Sequence, residues 1–154
     1  MTVLEIDRKL TRELVPHELI PHHRTETAAQ EARALGLPAW EVAKTVVLVT
    51  STGYVRAVLP ASERLDLHKA QRLLGDDTTR LATEAELALA YPTFELGAVP
   101  PFGGPVGDRV VVDKQLAFHD SVVFEAGTHS ESVRLKTTDL LVLAEAEIAD
   151  LCVG

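Results

Sequence analysis

The sequence predicts a mixed α/β domain of the α+β kind, in which helices pack against a mixed sheet. Short β-branched runs typical of strands alternate with segments whose apolar residues recur every three or four positions, as in helices. No internal repeat, low-complexity segment or Ser/Gly/Pro-rich linker divides the 154 residues. We therefore expect one domain over residues 1–154.

The chain is predicted to begin with a helix and an edge strand. Apolar residues at helical spacing predict an amphipathic helix over 2–14, namely Val3, Ile6, Leu10 and Leu14. Residues 17–23 are expected to form an edge strand, because Pro16 and Pro21 argue against a central one.

A second helix and a hairpin follow. Thr27 with Gln30 fits a capping box, Gly36 closes that helix, and a short turn comes at 38–41. The runs 45–50 and 54–59 are β-branched and apolar around Ser51-Thr52-Gly53, which predicts a hairpin. The first run is apolar on both faces, so we expect a central, doubly covered strand.

The rest of the chain continues the alternation. We predict a helix over 66–74 that stops at Gly75, a short strand over 80–82, and a helix from the Thr83–Glu86 capping box to about Ala90. The glycine- and proline-rich segment 94–105 is expected to be irregular. Three more strands are predicted at 109–113, 121–125 and 132–136, and a last helix from Thr138 or Asp139 to about Leu151, with a break near Ala144.

Composition excludes several classes of function. A formal charge of −8 argues against a general DNA or RNA binder, which needs many cationic side chains. The single cysteine, Cys152, rules out a disulfide framework within the chain. The apolar runs are too short for a membrane helix, and the N-terminus does not have the pattern of a signal peptide. We therefore expect a cytoplasmic protein without membrane contact.

Three motifs in order resemble the YbaK/ProX family. Lys44 opens the apolar strand as AKTVVLV, a glycine–proline loop spans 97–103, and the segment 124–130 reads FEAGTHS. Between the loop and the last segment, Val112-Asp113 followed by Leu116 resembles a further sequence pattern of the family. The resemblance covers about residues 16–143, and it implies a largely antiparallel, barrel-like sheet surrounded by helices.

The resemblance also implies an activity. Family members resemble the editing insertion of bacterial prolyl-tRNA synthetases, and the free-standing ones hydrolyse the ester of a mischarged aminoacyl-tRNA. We therefore expect an aminoacyl-tRNA deacylase, with the 3′ end of aminoacyl-tRNA and an aminoacyl-tRNA synthetase as partners. The amino acid that is removed differs among subfamilies and does not transfer to this sequence.

Lys44 is the expected catalytic residue. Ester hydrolysis passes through a tetrahedral oxyanion, which donors aimed at the developing charge stabilise. A lysine with its usual pKa of about 10.4 is cationic at neutral pH, so Lys44 would position the substrate and stabilise charge, and would become a base only after strong burial. Without the other motifs, Lys44 would be interpreted as a solvated lysine at a strand end.

The resemblance implies a substrate-binding role for the residues of the two later motifs. Backbone amides around Gly97 and Ala98 would hold the substrate carbonyl or terminal ribose, in a loop that Pro100 and Gly103 shape; a rigid crossing between layers is the alternative. The opposite wall would contain Gly127, His129 and Ser130.

His129 has three interpretations. A general base is one, because the pKa of histidine lies near neutrality. The family resemblance instead implies attack by a water assisted by the tRNA ribose hydroxyl, which would make His129 a hydrogen-bonding wall residue. An ordinary surface turn is the third.

Thr25 and Thr27 match the helix start that lines the amino-acid pocket in the family, although capping explains Thr27 equally well. Arg24, Arg56 and Lys136 are candidates for a basic rim that would support tRNA binding.

No metal or cofactor is expected. The six histidines lack a ligand spacing such as HExxH, and no phosphate loop or G-x-S-x-G elbow is present. The alternative to a deacylase is a non-catalytic module that binds an aminoacyl group, a nucleotide or a protein partner. The acidic charge favours this alternative, because tRNA is a polyanion.

Overall fold

The computed structural model describes residues 3–104 and 107–154. The helices among them are α1 (Val3–Arg12), α2 (Ala28–Leu35), α3 (Leu67–Leu74), α4 (Glu84–Ala90), α5 (Lys114–Ala117) and α6 (Thr137–Leu143). The strands are β1 (His17–Pro21), β2 (Ala43–Thr50), β3 (Gly53–Pro60), β4 (Arg80–Leu81), β5 (Arg109–Asp113), β6 (Ser121–Thr128), β7 (Glu131–Lys136) and β8 (Glu147–Ala149). One 3-10 turn, Ala39–Glu41, precedes β2.

The strands form two sheets. One has the order β1-β7-β6 and the other the order β4-β2-β3-β5-β8. Pairing is antiparallel except for β3 with β5 and β5 with β8. The mixed, largely antiparallel sheet is therefore confirmed, but the expected barrel-like closure is wrong. Hydrogen bonding passes between the described parts of the two sheets at one isolated bridge, Val42 with Val123, which leaves both sheets open.

The helix boundaries confirm the capping predictions. The Thr27 side chain accepts a hydrogen bond from the Gln30 amide over 3.1 Å, and Gly36 ends α2 in the left-handed conformation. Thr83 and Glu86 form the complete capping box of α4. A short polar side chain at these positions satisfies amides that have no partner within the helix.

The predicted hairpin is formed by β2 and β3, with Thr50 opposite Gly53. The prediction of a doubly covered strand fits β3 better than β2, because β3 is buried from Val55 to Pro60. β2 is half-buried at three consecutive residues near its start, Lys44, Thr45 and Val46. β4 pairs with β2 at Leu48 and Val49, so in the described part of the sheet residues 44–46 have no strand beside them on the side away from β3.

The last helix begins and breaks close to the predicted residues, but its predicted continuation to about Leu151 is wrong. α6 ends at Leu143, Glu145 adopts a positive φ of 48°, and β8 runs parallel to β5 where a continuing helix was expected. Asp113 holds this arrangement, since its carboxylate accepts from the Leu151 amide over 2.8 Å and from the Gln115 amide over 2.9 Å. The second bond caps α5, a short helix that the sequence analysis missed.

Two apolar clusters cover the faces of β2. Ala43 and Val47 belong to the main core, which includes Phe124 of β6, whereas Leu48 belongs to a second cluster beneath α3. Since residues two apart on a strand share a face, Lys44 lies on the Leu48 face. In the described part of the chain, no helix is long and apolar enough to cross a membrane.

Candidate active site

A cavity of about 200 Å³ lies where the start of β2 meets β6. Its walls come from α2, from the first residues of β2, from the loop after α4 and from β6. The residues that line it are Ala28, Glu31, Ala43, Lys44, Thr45, Val46, Gly97, Ala98, Val99, Phe124 and Glu125. Lys44, Gly97 and Ala98 are the sequence-predicted site residues among them.

A larger depression of about 530 Å³ surrounds the turn between β2 and β3. Ser51 and Asp76 line it, and they are joined by a hydrogen bond of 2.7 Å. None of the sequence-predicted site residues lies there. The smaller cavity is therefore the candidate site, on chemistry and not on size.

Lys44 stands at the rim of the candidate site, half-buried. Burial lowers the pKa of its ammonium group, and the charges that act on it come from Cys152, Glu63 and Arg64. Within residues 3–104 and 107–154, the Lys44 side chain forms no hydrogen bond or ion pair. A partly desolvated cation without a partner is well suited to stabilise a negative charge on a ligand.

The loop that carries Gly97 and Ala98 is held from beneath. Gly97 has a φ of 82°, and the Ala98 amide donates to the Glu95 carbonyl over 3.0 Å. The carbonyls of Pro100 and Gly103 accept from the guanidinium of Arg56, so these two residues shape the loop and do not line the cavity. The Ala98 amide therefore already has a hydrogen-bond partner. Of the two amides predicted to bind the substrate, that of Gly97 remains the candidate.

Arg56 does not belong to a basic rim. Its side chain is 1% exposed and forms an ion pair of 2.9 Å with the buried Asp108. Arg24 does lie near the surface, but it is paired with Glu26 and Glu95. Of the three predicted rim cations, Lys136 is exposed at the end of β7. The surface near the cavity is therefore less basic than the sequence suggested.

His129 is buried, with 2% of its surface exposed, so it is not a surface turn residue. Its Nε2 lies 2.5 Å from the Leu96 carbonyl, and its backbone amide donates to Glu95 Oε2 over 2.7 Å. Because a carbonyl only accepts, Nε2 carries a proton. His129 thus fixes the start of the Gly97 loop from behind the cavity wall.

The remaining predicted residues support this wall. Gly127 has a φ of 94° within the register shift between Glu125 and Thr128, where β6 has two residues more than β7. The Thr25 amide donates to the His129 carbonyl over 3.0 Å, and the Ser130 carbonyl accepts from the His22 amide over 3.0 Å. Thr27 is exposed and caps α2, so its capping interpretation is confirmed.

Two buried carboxyl groups were missed by the sequence analysis. Glu31 and Glu125 line the cavity and are 0% and 8% exposed. Burial is the main cause that raises the pKa of Glu31 to about 7 and that of Glu125 to about 9. A signal for Glu31 existed, because it shares the apolar face of α2 with Ala28, Ala32 and Leu35.

A hydrogen-bond chain connects Glu31 to the surface. Ser132 Oγ donates to Glu31 Oε2 over 2.5 Å, and it lies 2.9 Å from His22 Nε2. Ser132 is directly opposite Glu125 in the β6–β7 ladder. In the described residues, no group of three or more His, Cys, Asp or Glu side chains could hold a metal ion.

The sequence of the chain matches a known protein family. The sequence profile of the aminoacyl-tRNA editing domain matches residues 22–143, which contain every residue of the cavity wall.

The chain belongs to the aminoacyl-tRNA editing domain family.

Proteins similar to this chain include a proline–tRNA ligase and a tRNA deacylase. The chain is 31% identical over 139 residues to proline–tRNA ligase of Thermosipho africanus, with 82% of this chain and 23% of the ligase aligned. It is 34% identical over 99 residues to the multifunctional Ser/Thr-tRNA deacylase ProXp-y of Escherichia coli K12, with 63% of this chain and 58% of that protein aligned. The aligned segment thus covers about a quarter of the ligase and just over half of the deacylase.

A solved structure shares the whole editing-domain fold. It is described as a candidate trans-editing enzyme for prolyl-tRNA synthetase, and it matches with a TM-score of 0.89 at 30% identity. The match covers 99% of this chain and 97% of that one. The fold and the family predicted from the sequence are therefore confirmed.

Proposed function

We propose that this protein hydrolyses the ester bond of mischarged aminoacyl-tRNA in trans. The observation that carries the proposal is Lys44, a half-buried cation without an ion-pair partner in the described structure, at the rim of a cavity of about 200 Å³. Pockets for drug-sized ligands are larger, about 300–1,000 Å³, so this cavity suits a small aminoacyl group. The names of the relatives from Escherichia coli and Thermosipho africanus agree with this substrate class.

Lys44 has an electrostatic role in this proposal. Attack on the ester carbonyl places negative charge on its oxygen, and an ammonium group at the rim stabilises that charge. The Gly97 amide is the second donor, because the positive φ of Gly97 lets the backbone approach a ligand closely. The substrate carbonyl or the terminal ribose would therefore lie between Lys44 and Gly97.

Water is the nucleophile in this proposal. The cavity wall, as far as the structure describes it, contains no serine or cysteine, and its one hydroxyl group is that of Thr45. His129 is held behind the wall by the Leu96 carbonyl and does not line the cavity. We therefore assign it a positioning role, and the vicinal ribose hydroxyl of the substrate can orient the attacking water.

The charge around the site affects how the protein can bind the tRNA beyond its 3′ end. Arg24 is neutralised by Glu26 and Glu95, and the whole chain carries a formal charge of −8. We propose that the protein recognises the aminoacylated 3′ end and that an aminoacyl-tRNA synthetase supplies further tRNA affinity in the cytoplasm. The same acidic surroundings favour a second candidate, a module that binds an aminoacyl group without hydrolysing it.

A hydrolysis panel tests this proposal. Alanyl-, cysteinyl-, seryl- and threonyl-tRNA are incubated with wild type, with Lys44→Ala and with the control Lys9→Ala, which removes a half-buried lysine of α1 that pairs with Glu13. We expect hydrolysis of at least one substrate by wild type and by the control, and its loss in Lys44→Ala. No hydrolysis of any substrate by folded wild-type protein would favour the binding module, and full activity of Lys44→Ala would refute the assigned role.

A further inference from the structure

Glu31 and Glu125 form a carboxyl pair on the inner wall of the cavity. One comes from α2 and the other from β6, and both are at least nine-tenths buried. Ser132 brings them together, because it donates to Glu31 Oε2 and is the cross-strand partner of Glu125. The charge of Glu31 also contributes to the raised pKa of Glu125, which places the two groups within electrostatic reach.

Each carboxyl group has an oxygen without a donor. Within the described residues, Glu31 Oε1 and Glu125 Oε2 are buried and accept no hydrogen bond. His129 Nδ1 lies 2.9 Å from Glu125 Oε2 but not in hydrogen-bond geometry, so Nδ1 is also without a partner. An unsatisfied buried oxygen destabilises the protein, and a ligand with N–H donors would remove that cost.

Among the described residues, no lysine or arginine forms an ion pair with either carboxyl group, and His129, whose Nδ1 lies 2.9 Å from Glu125 Oε2, is the titratable group in contact with the pair. The charges that act on Lys44 are those of Cys152, Glu63 and Arg64, and neither carboxyl group is among them. Of the causes that shift the pKa of Glu125, the charge of Arg24 has the smallest effect. The guanidinium of Arg24 is paired with Glu26 and Glu95. The cavity therefore has a lysine at its rim and, inside, two carboxyl groups that each have an oxygen without a hydrogen-bond donor.

We propose that Glu31 and Glu125 bind the α-ammonium group of the aminoacyl substrate, so that the enzyme accepts esters of free amino acids and rejects N-acylated ones. The inference rests on the proposed deacylase function and specifies its substrate class. A primary ammonium has three N–H donors and a positive charge, which match the two free carboxyl oxygens. Acylation of the nitrogen removes the charge and two of these donors and adds bulk beside the two carboxyl groups.

This selection would protect other esters of tRNA. Peptidyl-tRNA and formylmethionyl-tRNA have the same ester linkage at the ribose, but their nitrogen is acylated. Lys44 and the Gly97 amide face the ester and cannot make this distinction. The carboxyl pair is at the other end of the aminoacyl group, where the two classes of substrate differ.

The test measures binding and not hydrolysis. The probes are 3′-deoxy-3′-(L-alanylamino)adenosine, whose amide linkage resists hydrolysis, and its N-acetyl derivative, both titrated calorimetrically at pH 7. We expect wild type to bind the free amine about 30-fold more tightly, which corresponds to about 2 kcal/mol for a buried charge pair. Binding should also release protons, seen as a dependence on the ionisation heat of the buffer, because an ammonium favours the ionised carboxyl groups.

Variants separate a binding role from a structural one. Glu31→Gln, Glu125→Gln and the double variant keep the side-chain shape, and each should reduce the preference and the proton release. Glu26→Gln is the matched control, since Glu26 is exposed and affects Glu125 only through its charge. Glu26→Gln should keep the preference for the free amine and the release of protons.

Equal binding of the two probes by wild type would overturn the proposal, and so would no binding of either, or a preference that survives in a folded double variant. Because neither probe is hydrolysed, these outcomes are independent of whether the protein deacylates tRNA. Hydrolysis of alanyl-tRNA and N-acetylalanyl-tRNA is measured separately. Equal rates for the two would also overturn the selection while leaving the deacylase function in place.

Discussion

Arg56 donates a hydrogen bond from Nη1 to the Pro100 carbonyl over 2.8 Å, and this bond fastens the loop over the cavity to the five-stranded sheet. The same guanidinium donates to the Gly103 carbonyl and to Asp108, and it lies 4.9 Å from the centre of the Tyr91 ring. Tyr91 in turn donates to Asp108 over 2.6 Å. One buried cation therefore sets the position of the loop that carries Gly97.

Arg56→Met should destabilise the protein strongly. The substitution keeps the apolar stem but leaves Asp108 as a buried charge without its cation, which typically costs about 3–5 kcal/mol. Arg109→Met is the control, because its ion pair with Glu147 is exposed and is worth about 0–1 kcal/mol. Denaturant unfolding of both variants measures the difference, and equal losses of unfolding free energy would contradict the anchoring role.

Gly97→Ala should impair hydrolysis more than it impairs folding. Gly97 has a left-handed backbone, which residues with a side chain rarely adopt. A Cβ added at this position would lie 3.4 Å from His129 Cε1. The left-handed conformation alone costs about 1–2 kcal/mol. Gly36→Ala is a matched control, since its φ of 69° imposes similar strain and no atom lies within 4 Å of the added methyl.

Both alanine variants should therefore lose a similar amount of unfolding free energy, and Gly97→Ala alone should lose hydrolytic rate. A loss of about tenfold or more is expected, because small displacements of a positioning group have large effects on rate. The comparison uses kcat/KM on a confirmed substrate together with thermal unfolding. A normal rate in Gly97→Ala would show that this loop does not hold the substrate.

Much of the fold could be predicted because its signals are local. Capping side chains at Thr27 and Thr83 determine helix starts, and the β-branched hairpin is determined by adjacent residues. The end of the chain depends instead on a distant partner, since Asp113 holds Leu151 and allows β8 to pair with β5. A single sequence does not show that pairing, and its apolar spacing resembled a helix.

The site was predictable to a smaller extent. The family resemblance singled out Lys44 and Gly97, which both line the cavity, and it gave no weight to Glu31 or Glu125. A glutamate in a helix or strand is usually exposed, so its burial becomes evident only when α2 packs against β6. Arg56 was misinterpreted for the same reason, because its buried partner Asp108 is 52 residues away.

Lys44→Met should separate activity from stability. Burial lowers the pKa of this lysine, so the folded state disfavours its charge, and methionine removes the charge while filling similar space. We expect hydrolysis to fall by about 100-fold or more, as when an oxyanion donor is lost. The free energy of unfolding at pH 7 should stay equal or rise. A folded variant with normal kcat/KM would refute the role of Lys44.

His17 should make folding stability depend on pH. Its Nδ1 and Nε2 lie 2.8 Å from the Val15 carbonyl and 2.6 Å from Asp7, both acceptors, so the doubly protonated ring fits. Burial lowers the pKa of His17, but the bonds to Asp7 and Val15 raise it by more. This stabilisation is complete below the unfolded pKa of about 6.5 and is lost as pH rises through the folded value.

The His17 prediction is tested by unfolding at pH 5.5 and pH 8.5. His17→Gln should lower the unfolding free energy more at the lower pH, and Asp7→Asn should have the same pattern because it removes the partner. His23→Gln is the control, since His23 is exposed next to the same strand. Identical losses at both pH values would show that the ring is neutral in the folded protein.

The carboxyl pair predicts a pH dependence over a different range. Burial raises the pKa of Glu31 to about 7 and of Glu125 to about 9, and the charges of Glu95 and Glu26 add to the second shift. Between the unfolded value of about 4.3 and these folded values the native state binds more protons than the unfolded one. Folding stability should therefore fall as pH rises from about 5 to 9.

The double variant Glu31→Gln/Glu125→Gln should flatten this decline, because an amide has no proton to lose. At pH 8.5 it should unfold at a higher denaturant concentration than wild type, whereas at pH 5 the two should be similar. The nearby His129 and Arg24 are unchanged in both proteins, so their contributions cancel in the comparison. A parallel decline in wild type and variant would mean that both glutamates titrate normally, and the cavity would then have no buried proton for a ligand to displace.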